Sequence, residues 1–186
     1  MNTVVKKTGF KYGIIGFIIY FFSCIIMWQV DIALFINPLV TYPLAILILC
    51  LGIYAQRTAK TQSGGYITFG NALLSFVITI AIAISGYAIA CILIFNLIDP
   101  NAKELLLDIT IKESLEMSNR MLTFMGMENA AGQLTEEQMR QSMQIGPTPM
   151  GIPSIIINYI SNLAFYTVVG LIAAAIIKKD KPYEFE

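Results

Sequence analysis

The sequence predicts an all-α polytopic membrane protein, with four transmembrane helices and an extracytoplasmic helical hairpin between helices three and four. Three observations carry this prediction. The 186-residue chain is 56% hydrophobic, with a mean hydropathy of +0.70. Charged residues make up 13%, against roughly 25% in an ordinary soluble domain. Those charges are also segregated: no Asp, Glu, Lys or Arg lies between Tyr12 and Val30, Ile32 and Gln56, Phe69 and Ile98, or Gly151 and Ile177. Each window reaches or exceeds the ~20 apolar residues that a bilayer-crossing helix needs.

The first helix, residues 11–30, follows Lys6, Lys7 and Lys11 and reads "YGIIGFIIYFFSCIIMWQV". A secretory signal has a shorter apolar core of about 7–15 residues and an A-x-A-like cleavage site. This run is longer and no such site follows it, so it is expected to remain as a span. Tyr12 and Trp28 suit its two interfaces. The second helix, residues 33–56, contains Pro38 and Pro43, which bend or delay it. The next stretch, "QSGGYITFGNALL" over residues 62–74, has a glycine pattern open to two readings. A phosphate-binding loop would need a preceding strand and, in the Walker form, a Gly-Lys-Ser/Thr ending; neither is present. The expected reading is a membrane re-entry turn, with Gly64 and Gly65 giving backbone freedom, Tyr66 at headgroup level and Thr68 as the N-cap of helix three.

Helix three, residues 69–98, would extend about 45 Å at 1.5 Å per residue, well beyond a hydrocarbon core of about 30 Å. Helix four, residues 151–177, is also long, so both are expected to protrude and carry the insertion, residues 99–150. Within the insertion, Asp99-Pro100 forms a helix start. Leu105, Leu106, Ile109, Met117, Met121, Phe124 and Met125 follow at helical spacing. After a break at Glu128–Gln133, "TEEQ" at residues 135–138 is a capping box opening a short helix through Gln144. Pro147, Pro149 and Pro153 resist its continuation.

Basic residues set the orientation. Lys6, Lys7 and Lys11 precede helix one, Arg57 and Lys60 follow helix two, and Lys178, Lys179 and Lys181 follow helix four. The positive-inside rule then predicts both termini in the cytoplasm and residues 99–150 outside. The insertion holds four basic against eight acidic residues.

The order of "YGIIGF" in helix one, "GGYITFGNAL" at the entry to helix three, "LTEEQMRQSMQ" in the insertion and a closing "GLIAAAIIKKD" resembles the bacterial membrane family catalogued as domain of unknown function 4199. The resemblance spans essentially the whole chain and is most specific at Gly64–Leu73 and Gly170–Lys179. It implies a four-helix inner-membrane protein of Gram-negative bacteria of the Bacteroidota type, with residues 99–150 periplasmic. It implies no activity and supplies no catalytic residues.

Absences limit the chemistry. The chain has no histidine, the commonest general base and metal ligand near neutral pH. The spans lack the Asp, Glu, Lys or Arg that ion-coupled transport places in a membrane. Cys24, Cys50 and Cys91 lie in apolar helices without CxxC spacing, as packing residues do. No catalytic, cofactor or metal site is therefore expected. Seven of the nine methionines fall between Met117 and Met150. Thioethers select Cu(I), but unsupported by His or Cys they read as fillers of an apolar face.

What remains is packing and contact. Gly9/Gly13, Gly86/Ala90 and Gly170/Ala174 match the small-xxx-small spacing that lets helices approach closely. Asn158, Ser161 and Asn162 form a polar stripe on helix four, expected to face helix three through hydrogen bonds of about 0.6 kcal/mol each. Leu106, Ile109, Met117, Met121 and Phe124 are read as an apolar interaction face, with Glu113, Glu116 and Arg120 off it. The expected function is a non-enzymatic structural or protein-interaction component with the lipid bilayer, a protein partner or its own copies as partners, and no nucleic acid. The alternative is a small transporter or channel for an uncharged or lipid-like solute.

Overall fold

The computed structural model describes residues 3–126, 135–145 and 150–179. Helix α1 (Thr3–Val30) leads through a 3-10 turn (Ile32–Phe35) to α2 (Pro38–Gln62). Helix α3 (Phe69–Leu93) continues as a π-turn (Ile94–Ile98), followed by α4 (Ala102–Phe124), α5 (Glu136–Ile145) and α6 (Ile152–Ile177). Four of these segments, Thr3–Val30, Pro38–Gln62, Phe69–Ile98 and Ile152–Ile177, are long and apolar enough to cross a membrane. The fold is an all-α polytopic membrane protein. Among the described residues the only β-pairing is one isolated bridge, Ile67 with Lys179.

Boundaries shift where caps decide them. Helix α1 runs back to Thr3, so Lys6, Lys7 and Lys11 ride on its first turns rather than preceding it. Helix α2 starts at Pro38 because Asn37 accepts from the Leu39 N–H (2.9 Å) and proline occupies the first turn, where its missing N–H costs nothing. The residues before it form their own turn, capped by Asp31 on the Ala33 N–H at 2.9 Å. The expected start of α4 is displaced: Asn101 rather than Asp99 stands at its N-cap and makes no side-chain cap bond. Asp99 and Pro100 lie in the preceding turn, from which Asp99 accepts from the Ala102 N–H (3.3 Å). Thr68 accepts from Asn71 at the head of α3. Thr135 and Gln138 exchange the two reciprocal bonds of a capping box at the head of α5. The expected break at Glu128–Gln133, together with Pro147, Pro149, Lys181 and the C-terminal residues, lies outside the described residues.

Helix α3 is the centre of the bundle: 44% of its most apolar window is buried, against 17–22% in the other three spans. The buried positions of α1 explain its long seam with α3. Val5, Gly9, Gly13, Gly16, Tyr20, Cys24 and Met27 recur at four, four and three residues. That eleven-residue period is about 3.67 residues per turn, near the natural helical repeat, so one face stays in register along the helix. Three buried layers result. Val5, Ala59, Ala72, Ala174 and Ile177 pack at the end carrying the basic residues. Tyr20, Ile48, Phe76, Ile80, Ala83 and Tyr166 fill the middle. Cys24, Met27, Phe35, Cys91, Phe95, Leu106 and Ile155 close the insertion end.

Candidate functional site

The middle layer is not filled evenly. On its basic side, Phe76 of α3 is wholly buried and wedged between two glycines. A Cβ on Gly52 of α2 would come within 2.7 Å of its ring, and one on Gly170 of α6 within 2.4 Å. Gln56 donates to the Gly170 carbonyl at 3.3 Å, further tying α2 to α6. On the insertion side of this wedge the same two helices leave a cleft of about 370 Å³ against α1 and α3.

Tyrosines dominate its walls: Tyr20 from α1, Tyr42 from α2, Tyr87 from α3, and Tyr159 and Tyr166 from α6. Tyr20 and Tyr87 meet edge to face at 5.9 Å. The Tyr159 hydroxyl donates to the Ala81 carbonyl (3.1 Å) and that of Tyr166 to the Ala45 carbonyl (3.3 Å), which fixes both rings. Thr41, Asn158 and Asn162 add polar groups. Tyr42, Asn158 and Asn162 are exposed, so the mouth lies between α2 and α6. Sequence reasoning passed over this cluster because its rings come from four separate helices. The available signal was tyrosine placed in mid-span, away from the interface positions where it is usual.

The asparagine stripe takes a different direction from the one expected. Helix α6 turns Ile155, Tyr166, Gly170, Ala173 and Ala174 inward, leaving Asn158, Ser161 and Asn162 exposed. Asn162 donates to the Asn158 carbonyl at 2.8 Å, one turn back on its own helix, and not across to α3. The small residues Gly86 and Ala90 lie on the α1-facing side of α3. A Cβ on Gly86 would stand 2.4 Å from the Phe17 carbonyl oxygen and 2.9 Å from its Cα, and Ala90 is 1% exposed. Gly170 and Ala174 face Phe76 and the basic-end layer.

The re-entry turn closes the basic end. Gly64 and Gly65 have φ of +76° and +84°, a region that side chains resist. Ile67 and Lys179 exchange both backbone hydrogen bonds, at 2.9 and 3.0 Å. Lys60 donates to the Ile177 carbonyl at 2.8 Å, supplying a cation where the last carbonyls of α6 point.

At the opposite end the insertion forms an arm. Trp28 donates to Asp99 at 3.3 Å, and Lys103 to Asn96 at 2.6 Å, which anchors the root of α4. Leu106 is 1% exposed and Ile109 packs against the same layer. Farther along, Met117, Met121 and Phe124 are 74%, 62% and 93% exposed. The expected interaction face is thus divided: its first half is covered by the bundle and its second half stands free of the described residues. Glu113 falls on the same side as Leu106 and Phe124, since seven and eleven residues return close to one helical face. Glu116 and Arg120 form an exposed pair at 3.2 Å, and Asp108 pairs with Arg140 of α5. No cluster of three or more His, Cys, Asp or Glu that could hold a metal occurs among the described residues. Met127 and the side chain of Met143 lie outside them.

The family model described as "Protein of unknown function (DUF4199)" matches residues 7–179. No curated protein and no solved structure matches the chain.

Proposed function

This chain belongs to the DUF4199 family of proteins, and we propose that it is a non-enzymatic component of the bacterial inner membrane that works by contact with a protein partner. The observation that carries this reading is the free half of α4, where Met117, Met121 and Phe124 recur at four and three residues and stand 62–93% exposed. Helices that display such a face outside a bundle normally bury it against something. The insertion is acidic, with eight carboxylates against four cations, a poor match for anionic headgroups, which are bound by Lys/Arg-rich helices. A protein groove with an apolar floor and a basic rim fits better. The basic residues Lys6, Lys7, Lys11, Arg57, Lys60, Lys178 and Lys179 gather at the other end. They support an orientation with both termini cytoplasmic and residues 99–150 periplasmic.

The transport alternative loses support from Phe76, whose buried ring fills the space between α2 and α6 where a path through the bundle would continue. Cross-linking from a photoreactive residue at Phe124, on the same exposed face, followed by purification in mild detergent, tests the contact. A discrete adduct is expected, lost in Met121→Glu and kept in Glu116→Lys. An adduct with a second copy would make the partner the protein itself. Loss in Glu116→Lys alone would move the working surface to the acidic side.

A further inference from the structure

We propose that the tyrosine-walled cleft is a binding site for an uncharged amphiphile whose head carries carbonyl or hydroxyl groups and whose apolar tail leaves between α2 and α6. This inference is independent of the role assigned to the α4 arm. A volume of about 370 Å³ falls in the range of roughly 300–1,000 Å³ typical of small-molecule sites. No charged residue lines it. A charged head buried there would lack the counter-charge that buried ions require, so the ligand is neutral.

The polar groups argue that it is not an empty apolar gap. With a 30 Å hydrocarbon core centred on α6, Asn158 lies about 5 Å inside the boundary and Asn162 about 11 Å inside. At that depth an unpaired amide costs several kcal/mol in lipid. Asn162 satisfies one N–H on its own helix. The Asn158 amide has no partner among the described residues, although both side chains border the cleft. An occupant with carbonyl or hydroxyl oxygens would pair with them.

The walls select the shape. Tyr159 and Tyr166 spend their hydroxyl hydrogens on backbone carbonyls, so their rings are held in place. Tyr42 and Tyr87 add two more rings along the same space. Fixed aromatic faces of this kind favour a flat head that can stack or meet them edge on. The Phe76 wedge blocks descent toward the basic end. A tail can leave sideways, past exposed Tyr42, into the bilayer.

Two sources carry this chemistry: a ring carbonyl, as in a lipid quinone, or an ester carbonyl, as in a diacylglycerol. The test titrates the purified full chain in mild detergent with a short-tailed 1,4-benzoquinone and, separately, with dioctanoylglycerol. Dioctanoyl phosphatidic acid serves as the charged control, and the midpoint of thermal unfolding is the readout. Trp28, the single tryptophan, adjoins Met27 of the cleft wall and adds fluorescence quenching for the quinone arm. A saturable upward shift is expected with at least one neutral probe and none with the charged one. Each of Asn158→Leu and Asn162→Leu should weaken that binding about five- to tenfold, the worth of one hydrogen bond. Ile156→Leu, on the exposed side of α6, should leave it unchanged. Absence of saturable binding by both neutral probes would overturn the proposal, as would binding indifferent to both asparagine substitutions. A change in oligomeric mass in Asn158→Leu without a change in probe binding would also overturn it, by assigning the stripe to a second copy.

Discussion

Gly170→Ala asks whether α2, α3 and α6 are held together by one ring seated between two glycines. The new methyl would lie 2.4 Å from Cδ1 and 2.7 Å from Cε1 of Phe76, about 1 Å inside the ordinary carbon contact of ~3.5–4.0 Å. The ring cannot retreat freely, because Gly52 packs against its far edge so closely that even a Cβ there would stand 2.7 Å from it. Overpacking of this kind costs about 1–3 kcal/mol, offset by up to about 1 kcal/mol from the better helix propensity of alanine. A net loss of about 1–2 kcal/mol is therefore expected. Phe76→Ala alone should cost about 3–5 kcal/mol through the cavity it leaves. In that background the steric term disappears and Gly170→Ala should become neutral or stabilising. The coupling between the two positions is then about 1–3 kcal/mol, the size of the steric term and within the range for residues in contact. Gly70→Ala, with nothing within 4 Å of the added methyl, is the unobstructed control. Reversible unfolding of the four variants in mixed detergent micelles measures the cycle. An equal penalty for Gly170→Ala with and without the Phe76 ring would refute the wedge.

Gly86→Leu should be more damaging than any substitution at Gly170. Its clash is with the Phe17 main chain, which cannot rotate away, and the loss should appear as a lower thermal midpoint or as aggregation on detergent extraction. Parent-like stability would remove the close α1–α3 crossing from the account. Gly65→Val places a β-branched residue at a φ of +84° and should cost about 1–2 kcal/mol from left-handed backbone alone, read as increased proteolysis of the turn; unchanged protection would count against it. For orientation, single cysteines at Thr61 and Asn101, in a background lacking exposed Cys50, should label from opposite faces of the membrane with an impermeant reagent. Labelling from one face would reject the four-span arrangement.

The spans were legible in the sequence because apolarity and charge segregation are properties of consecutive residues, and so were two of the caps. Thr68 and the Thr135/Gln138 pair act within three residues of themselves, so no tertiary knowledge is needed to place them. The cleft was not legible in the same way. Tyr20 and Tyr166 are 146 positions apart, and neither sits in a pattern that differs from ordinary core. Asn158 and Asn162 were visible as a stripe, but its direction depends on where Gly170 and Ala174 pull α6, which only the packing against Phe76 decides. Gly52 shows the limit of motif spacing: it contacts the same ring as Gly170, yet belongs to none of the small-residue pairs picked out from the sequence.

Gly64–Leu73 and Gly170–Lys179, the stretches that carry the family resemblance most specifically, close on each other in the fold. Ile67 bridges to Lys179, and the Lys179 ammonium lies 5.3 Å from the centre of the Tyr66 ring. Ala72 and Ala174 share one buried layer. With Lys60 on the end of α6, they fasten α2, α3 and α6 at the basic end. Toward the insertion end the ties between α2 and α6 thin out to the Tyr166–Ala45 bond, and Pro43 leaves the Leu39 carbonyl without its helical donor, as proline must. A bundle clamped at one end and loosely joined at the other can admit a ligand between two helices without losing its registry. The glycines that bring Phe76 into contact with α2 and α6 set the depth to which such a ligand can descend. Recognition of the fold and function of the site therefore rest on opposite halves of the same helices, and substitutions that loosen the clamp should alter the cleft while leaving the α4 arm in place.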